Sequence, residues 1–434
     1  MKKKDLLRGL SALLVVFCIF CTISTAHGSG FAIYTQGAST LGQGAATIAH
    51  TDDPSAVFWN PALINKLDGT QIQLGTTMIF PSRKFESDFS GNTFKTEPDV
   101  FFPSTFFITH KFNDRTSAGL GVFNPFGLAT KWPDDWEGRY IATNSELTTF
   151  NINPVVSYKI TPFMTFAAGI DFLLLDATLE KKINQTGILS YISGIPFPAP
   201  DMNQKFEGDG TGAGYNFGIL IEPYKDIAIG VSYRSKIDVE INGKTTFDNV
   251  NPSLSTFFSN SNGNTDITLP QQIHAGISYK GLNPLTLEVA LRWEGWSSYD
   301  KLKINLEKPV GLPPTTTFVS EKNWDDTYSF SVGAKYQLND SIALLAGYLY
   351  SGNPIPDKTF EPAIPDANTN LFCIGTSIKQ KNFKVDLAYG YQKLQNREKN
   401  NDITDPVSGS PVYSANGTYK SHLNMVAFSL TYTF

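Results

Sequence analysis

The 434-residue sequence predicts an all-β fold: a 14-stranded antiparallel transmembrane β-barrel with an N-terminal hatch plugging its lumen and short helices in its extracellular loops. Three observations lead there. Apolar and polar residues alternate with period two through fourteen segments, the mark of strands with two unlike faces. The connections alternate between tight turns and long polar loops, as they do between the two rims of an outer-membrane barrel. The chain ends on an aromatic strand, in which Val426, Phe428, Leu430, Tyr432 and Phe434 alternate with Ala427, Ser429, Thr431 and Thr433. Composition agrees. Charged residues make up 17% of the chain, against about 25% in soluble proteins, and 13% aromatics with 35 glycines and 25 prolines favour strands and turns. No run of about 18 apolar residues follows the N-terminal region, which excludes a helical membrane protein. With 35 Lys+Arg against 40 Asp+Glu, the chain lacks the basicity of a nucleic-acid binder.

The elements follow in order. Lys2, Lys3, Lys4 and Arg8 precede an apolar run from Gly9 to Thr22 that ends near Ser24, Thr25 and Ala26. This reads as a signal peptide over 1–26, cleaved after Ala26. Its removal takes four bases and one acid, so the exported chain is more acidic, and it leaves Cys373 as a lone thiol with no partner for an internal disulfide. Residues 27–69 do not alternate. Gly37, Gly42, Gly44, Ala45-Ala46-Thr47 and Val57-Phe58-Trp59-Asn60-Pro61-Ala62-Leu63 give this segment an ordered composition. It is read as a hatch inside the lumen, which a barrel of this size otherwise leaves open; an extension folded against the periplasmic rim is the other arrangement it fits.

The barrel occupies 70–434. In Phe150 to Ile160 the even positions are apolar and the odd ones mostly polar, and Ile227 to Arg234, Leu285 to Glu294, Tyr328 to Tyr336 and Phe383 to Tyr391 repeat this pattern. Six connections are tight, around Asn113-Asp114, Thr161-Pro162, Pro223-Tyr224-Lys225, Gly281-Leu282-Asn283, Asn339-Asp340 and Gln380-Lys381-Asn382. A soluble β-sandwich also alternates, but it cannot bury unpaired the mid-strand charges Arg234, Lys236, Glu288 and Arg292.

Two blocks carry a resemblance. Gly30-Phe31, Leu41-Gly42-Gln43-Gly44, Asp52-Asp53 and Trp59-Asn60-Pro61-Ala62 form the first, and Asn124-Pro125-Phe126-Gly127-Leu128 followed by Trp132-Pro133-Asp134-Asp135-Trp136-Glu137-Gly138-Arg139-Tyr140 the second. In this order, the chain resembles the long-chain fatty acid and aromatic hydrocarbon outer-membrane transporters, the FadL/TodX (OMPP1) family. The resemblance implies a monomer in the Gram-negative outer membrane, surrounded by lipid and lipopolysaccharide and inserted by the barrel-assembly machinery. It further implies a hatch at Trp59, Asn60, Pro61 and Ala62, a hydrophobic pocket beside it, and passive uptake of a fatty acid or other hydrophobic small molecule with lateral release through a gap at a kinked third strand.

Candidate site residues follow from parity and from the blocks. Phe31, Phe107, Phe123, Leu173, Leu175, Leu220, Leu345 and Leu349 make the lumen partly apolar, either lining a binding pocket or packing on the hatch. Arg234, Lys236 and Arg292 point inward by parity as cations for a substrate carboxylate, although Glu288 and Glu294 on the same face also fit a salt-bridge ladder. Pro125 lacks an amide hydrogen and Gly127 a side chain, so Asn124 to Gly127 interrupt the third strand. Gly119, Gly121, Asn124, Pro125, Phe126 and Gly127 are the expected border of a lateral gap, unless the strand simply ends there. Trp132, Trp136 and Tyr140 recur every fourth residue, one face of a short helix that either captures cargo at the extracellular rim, with Arg139 as the nearest cation, or packs within the loop.

No enzyme is expected. His27, His50, His110, His274 and His422 belong to no catalytic motif. Adjacent carboxylates such as Asp52-Asp53 point different ways in extended chain, so no metal is expected, and Gly42-Gln43-Gly44 lacks the strand and helix of a dinucleotide loop, so no cofactor is either. A general hydrophilic porin remains the alternative function.

Overall fold

The computed structural model describes residues 30–404 and 412–434; the signal peptide expected at 1–26 lies outside them. Fourteen antiparallel strands close into one barrel. They are β1 (Thr70–Ser87), β2 (Ser104–Lys111), β3 (Thr116–Phe123, resuming as Gly127–Lys131), β4 (Asn144–Thr161), β5 (Met164–Ile183), β6 (Met202–Tyr224) and β7 (Ile227–Arg234, then Ile237–Asp248). The circuit continues through β8 (Ser261–Leu269, then Gln272–Leu282), β9 (Leu285–Glu294, then Lys301–Val310), β10 (Thr315–Glu321, then Thr327–Gln337), β11 (Ile342–Ser351), β12 (Thr369–Gln380), β13 (Phe383–Leu394, then Arg397–Lys399) and β14 (Gly417–Thr433). β14 pairs with β1 from Gln71↔Thr433 to Ser87↔Gly417, which closes the barrel.

The alternation maps onto the two faces. Along β4, Phe150, Ile152, Val156, Tyr158 and Ile160 are exposed on the outer face while Asn151, Asn153, Val155 and Ser157 are buried inside. No helix among the described residues is long and apolar enough to cross a membrane. One nine-residue helix, Gln185–Ser193, stands in the loop after β5, capped by the Asn184 side chain accepting the Gly187 N–H.

Parity fails at one candidate. Ser235 and Lys236 break β7, and after the break Ile237, Val239 and Ile241 are the buried residues. The break shifts the alternation by one, so Lys236 leaves the inward set and pairs with Asp238 in solvent.

The hatch lies in the lumen. It comprises the short helices Ala38–Gly42 and Ala56–Trp59 and the 3-10 turn Pro61–Lys66. Asn60 caps that turn by accepting the Ala62 N–H at 3.1 Å, and Pro61 follows at the first helical position, where no amide hydrogen is needed. The Asn60 amide also donates to the carbonyls of Ile48 and Ile219, tying hatch to hatch and hatch to wall. Opposite the hatch, inward positions of the wall are repeatedly glycine. A Cβ at Gly119 would come within 2.9 Å of Val57, one at Gly276 within 3.0 Å of Ile48, and one at Gly333 within 2.9 Å of Ala46. Gly218, Gly230, Gly347 and Gly375 face hatch atoms in the same way, so the hatch rests on bare strand backbone.

A candidate hydrophobic binding cavity at a break in the wall

The ladder between β2 and β3 stops at Phe106↔Val122. Higher up, the chain before β2 leans on β1 instead, with Ile79 and Phe101 exchanging backbone hydrogen bonds, and meets β3 again where the Glu97 N–H reaches the Lys131 carbonyl at 2.8 Å. Within this interval three residues of β3, 124–126, stand opposite two of β4, because Phe123 pairs with Asn151 and Gly127 with Thr148. The surplus residue turns inward. Asn124 bridges the break, accepting the Ser104 N–H at 3.0 Å and donating to the Thr149 carbonyl.

The inward backbone is met by the hatch's own N-terminal segment. The Ile33 N–H donates to the Pro125 carbonyl at 3.0 Å and the Gly127 N–H to the Phe31 carbonyl at 2.9 Å. Phe31 is held among Trp296, Tyr299, Trp324 and Phe126, with ring centroids 4.6 to 6.2 Å away. Beside it lies a cavity of about 380 Å³, within the roughly 300–1,000 Å³ of small-molecule pockets. Phe31, Asn124, Phe126 and Gly127 line it, as do Leu371 of β12 and Met425 of β14. Phe102 and Phe150 line it too, and these are 58% and 44% exposed on the outer face.

The remaining candidates lie elsewhere. Phe107, Phe123, Leu220 and Leu349 belong to the core formed with Phe58, Trp59 and Ala62 of the hatch, and Leu345 abuts Gly42. Leu173 and Leu175 sit in a second core below the extracellular loops. Gly121 sits under the rings of Phe107 and Phe123, as Gly119 does under Val57. Arg234 is buried and paired with Asp171, and its guanidinium lies 5.3 Å from the rings of both Phe58 and Phe123. Arg292 lies 3.4 Å from the centre of the Tyr34 ring and 3.6 Å from Glu294. Neither arginine lines the cavity.

Residues 132–140 form turns rather than a helix. Trp132 and Trp136 are buried and stacked 4.5 Å apart, their indole N–H groups donating to the carbonyls of Pro362 and Ala142. Arg139 and Tyr140 both bond Asp201. Asp52 pairs with Lys335 and Lys384, and Asp53 with Lys384, so these acids fasten the hatch to the wall.

Residues 19–434 match the family described as outer membrane protein transport protein (OMPP1/FadL/TodX). The chain belongs to this family. It is 26% identical over 418 residues to the long-chain fatty acid transport protein of Escherichia coli O6:H1, covering 89% of this chain and 91% of that one. It is 22% identical to outer membrane protein P1 of Haemophilus influenzae, covering 94% and 96%. In fold it is similar to a Pseudomonas aeruginosa FadL homologue, with a TM-score of 0.83 at 20% identity over 94% of this chain and 100% of the other. The Pseudomonas putida toluene transporter TodX gives 0.71 at 17% identity, over 92% and 98%. OMPP1/FadL/TodX proteins are outer-membrane transporters of hydrophobic compounds, not enzymes.

Among the cavity residues that sequence reasoning did not single out are Ile79, Pro81 and Arg83 on β1, Phe101 to Pro103 before β2, Ile364 to Asp366 in the loop before β12, and Leu371 and Met425. Arg83 carried a signal: it is a mid-strand cation, and its inward parity follows from Gln71, Gln73 and Thr77.

Proposed function

We propose that this chain carries small hydrophobic molecules passively across the outer membrane, holds them in the cavity beside Phe31, and releases them sideways into the bilayer through the break between β2 and β3. The observation that carries the reading is the cavity lining. It joins lumenal Phe31, Leu371 and Met425 to the lipid-exposed Phe102 and Phe150, so a greasy path runs from lumen to bilayer without crossing water. The hatch argues against a hydrophilic porin, because its own backbone occupies the lumen against the wall glycines.

Capture at the extracellular end falls to a second cavity of about 620 Å³, with Ile141, Leu179, Phe206, Ile304 and Phe318 as its apolar lining. Lys181, Lys322 and Lys358 share its lining with Glu180, Glu321, Glu361 and Asp402, and Lys322 is paired with Glu361, so an amphiphile arriving through lipopolysaccharide meets a mixed-charge rim around the apolar lining. Long-chain fatty acids and aromatic hydrocarbons are the two cargo classes carried by relatives' names. The protein acts as a monomer, inserted by the barrel-assembly machinery.

Deleting Phe126 tests the exit. It removes the surplus residue of β3 relative to β4, so that β3 runs straight past residue 124 and can extend its ladder with β2 across the break. Uptake of a hydrophobic tracer into outer-membrane vesicles is expected to be lost while the barrel still assembles. Native uptake by the deletion variant overturns lateral release.

A further inference from the structure

Asp366 is a buried carboxyl on the wall of an apolar cavity. Its Oδ2 accepts the Gly30 N–H at 2.9 Å. Across the cavity Arg83 reaches over the wall break, its Nη1 donating to the Ala129 carbonyl at 3.0 Å. Glu146 is the other charged residue of the lining, and it sits on the outer face of β4. Arg397 lies behind Asp366 and is already balanced: it donates to the Asp366 and Ile355 carbonyls and pairs with Asp357 at 2.9 Å. The cavity therefore presents one cation and one buried carboxyl. Burial pushes the Asp366 carboxyl up to about 7, against the pull of the Gly30 and Ala367 N–H groups and the two arginines.

We infer that Asp366 is the charge switch that sets which head group the cavity accepts: Arg83 balances one negative charge, either ionised Asp366 or an anionic ligand, so an anionic amphiphile binds together with one proton taken up by Asp366 and an uncharged one binds without it. The inference rests on the reading that this cavity holds the cargo. Its physical basis is that two ionised acids beside one guanidinium in apolar surroundings leave a buried charge unpaired. Protonated Asp366 keeps its carbonyl oxygen for the Gly30 N–H and turns its O–H toward the ligand. The proton comes from solvent, and no ligand bond is made or broken.

The test compares dodecane-1-sulfonate, which does not titrate in this range, with dodecan-1-ol, on the purified full-length protein in detergent by calorimetry between pH 6 and 8.5. Sulfonate affinity is expected to be level below pH 7 and to fall about tenfold per pH unit above it. At pH 8, titrations in buffers of different ionisation enthalpy should report close to one proton taken up with the sulfonate and none with the alcohol. Asp366→Asn should bind sulfonate at pH 8 as tightly as the native protein does at pH 6, with no pH dependence. If the alcohol binds and the sulfonate either fails to bind or binds with no pH dependence and no proton uptake, the switch is overturned and the cavity reading stands. If neither probe binds the native protein, the cavity reading falls, and the switch falls with it. The proton count uses native protein, so the test survives a variant that does not assemble.

Discussion

The carboxylate of Glu288, on the barrel wall, meets the imidazole of His50, on the hatch, at 2.6 Å. The same carboxylate accepts the backbone N–H groups of Ile48 and Ala49, and the far nitrogen of His50 is bonded to Gln43 at 2.9 Å. One acidic side chain thus satisfies three donors of a segment that has no regular structure of its own.

Replacing Glu288 with Ala strands those donors in the lumen, at about 1–3 kcal/mol each. The hatch is expected to loosen while the barrel persists. Single-channel recordings in planar bilayers should show larger and noisier conductance than the native protein. Glu288→Gln, which keeps one acceptor oxygen, should give a smaller rise.

Arg234 is paired with buried Asp171, to which Asn151 is also bonded, and from this geometry a structural role is predicted for the pair. Arg234→Met leaves Asp171 buried without its cation and is expected to destabilise the fold by roughly 3–5 kcal/mol. Arg234→Met combined with Asp171→Asn should recover most of that loss. Tracer affinity should be unchanged in the double variant, and a weakened affinity there would place Arg234 in cargo binding after all.

Asp366 also makes local stability depend on pH. Burial pushes its carboxyl up to about 7 in the folded protein, against about 3.9 in an unfolded chain. A carboxyl raised by folding gives stability that is complete below about pH 4 and is lost as pH rises through 7. Hydrogen exchange in residues 353–368 should therefore quicken from pH 5 to 8, after correction for intrinsic exchange. Asp366→Asn should remove the trend.

The wall glycines predict a separation between barrel and hatch. Gly347→Leu places a side chain where the backbone of Gln43 and Gly44 now lies. The strand pairs around it, Gly333↔Gly347 and Gly347↔Cys373, do not require glycine. The variant should still show the heat-modifiable mobility of a folded barrel. Limited proteolysis within 40–60 should become fast, where the native hatch resists.

Much of this architecture was legible because lipid and lumen impose opposite demands on successive residues. Phe150, Ile152 and Asn151 declare their faces by parity alone, and so does Arg234. Parity has no memory across a break, which is why Lys236, two residues beyond Arg234, ends in solvent. The four-residue spacing of Trp132, Trp136 and Tyr140 suggested a helix, but Pro133 and Gly138 lie within it and the two indoles find each other by stacking in a turn. The cavity was least legible. Its wall joins the irregular stretches 101–103, 124–126 and 364–366 to strand residues such as Ile79, Phe150, Leu371 and Met425, and their meeting depends on how the barrel closes and not on any local period.

The glycines under the hatch make the inner surface of the barrel a cast of one particular insert. A mould and its casting change together or not at all: a substitution that adds bulk to the hatch near Ile48 needs room that Gly230 and Gly276 have already yielded completely. Exchanging hatches between two such barrels should therefore fail unless the matching wall glycines travel with them. The interior of the wall is then a written record of the plug's shape, readable even where the plug itself has no pattern to read.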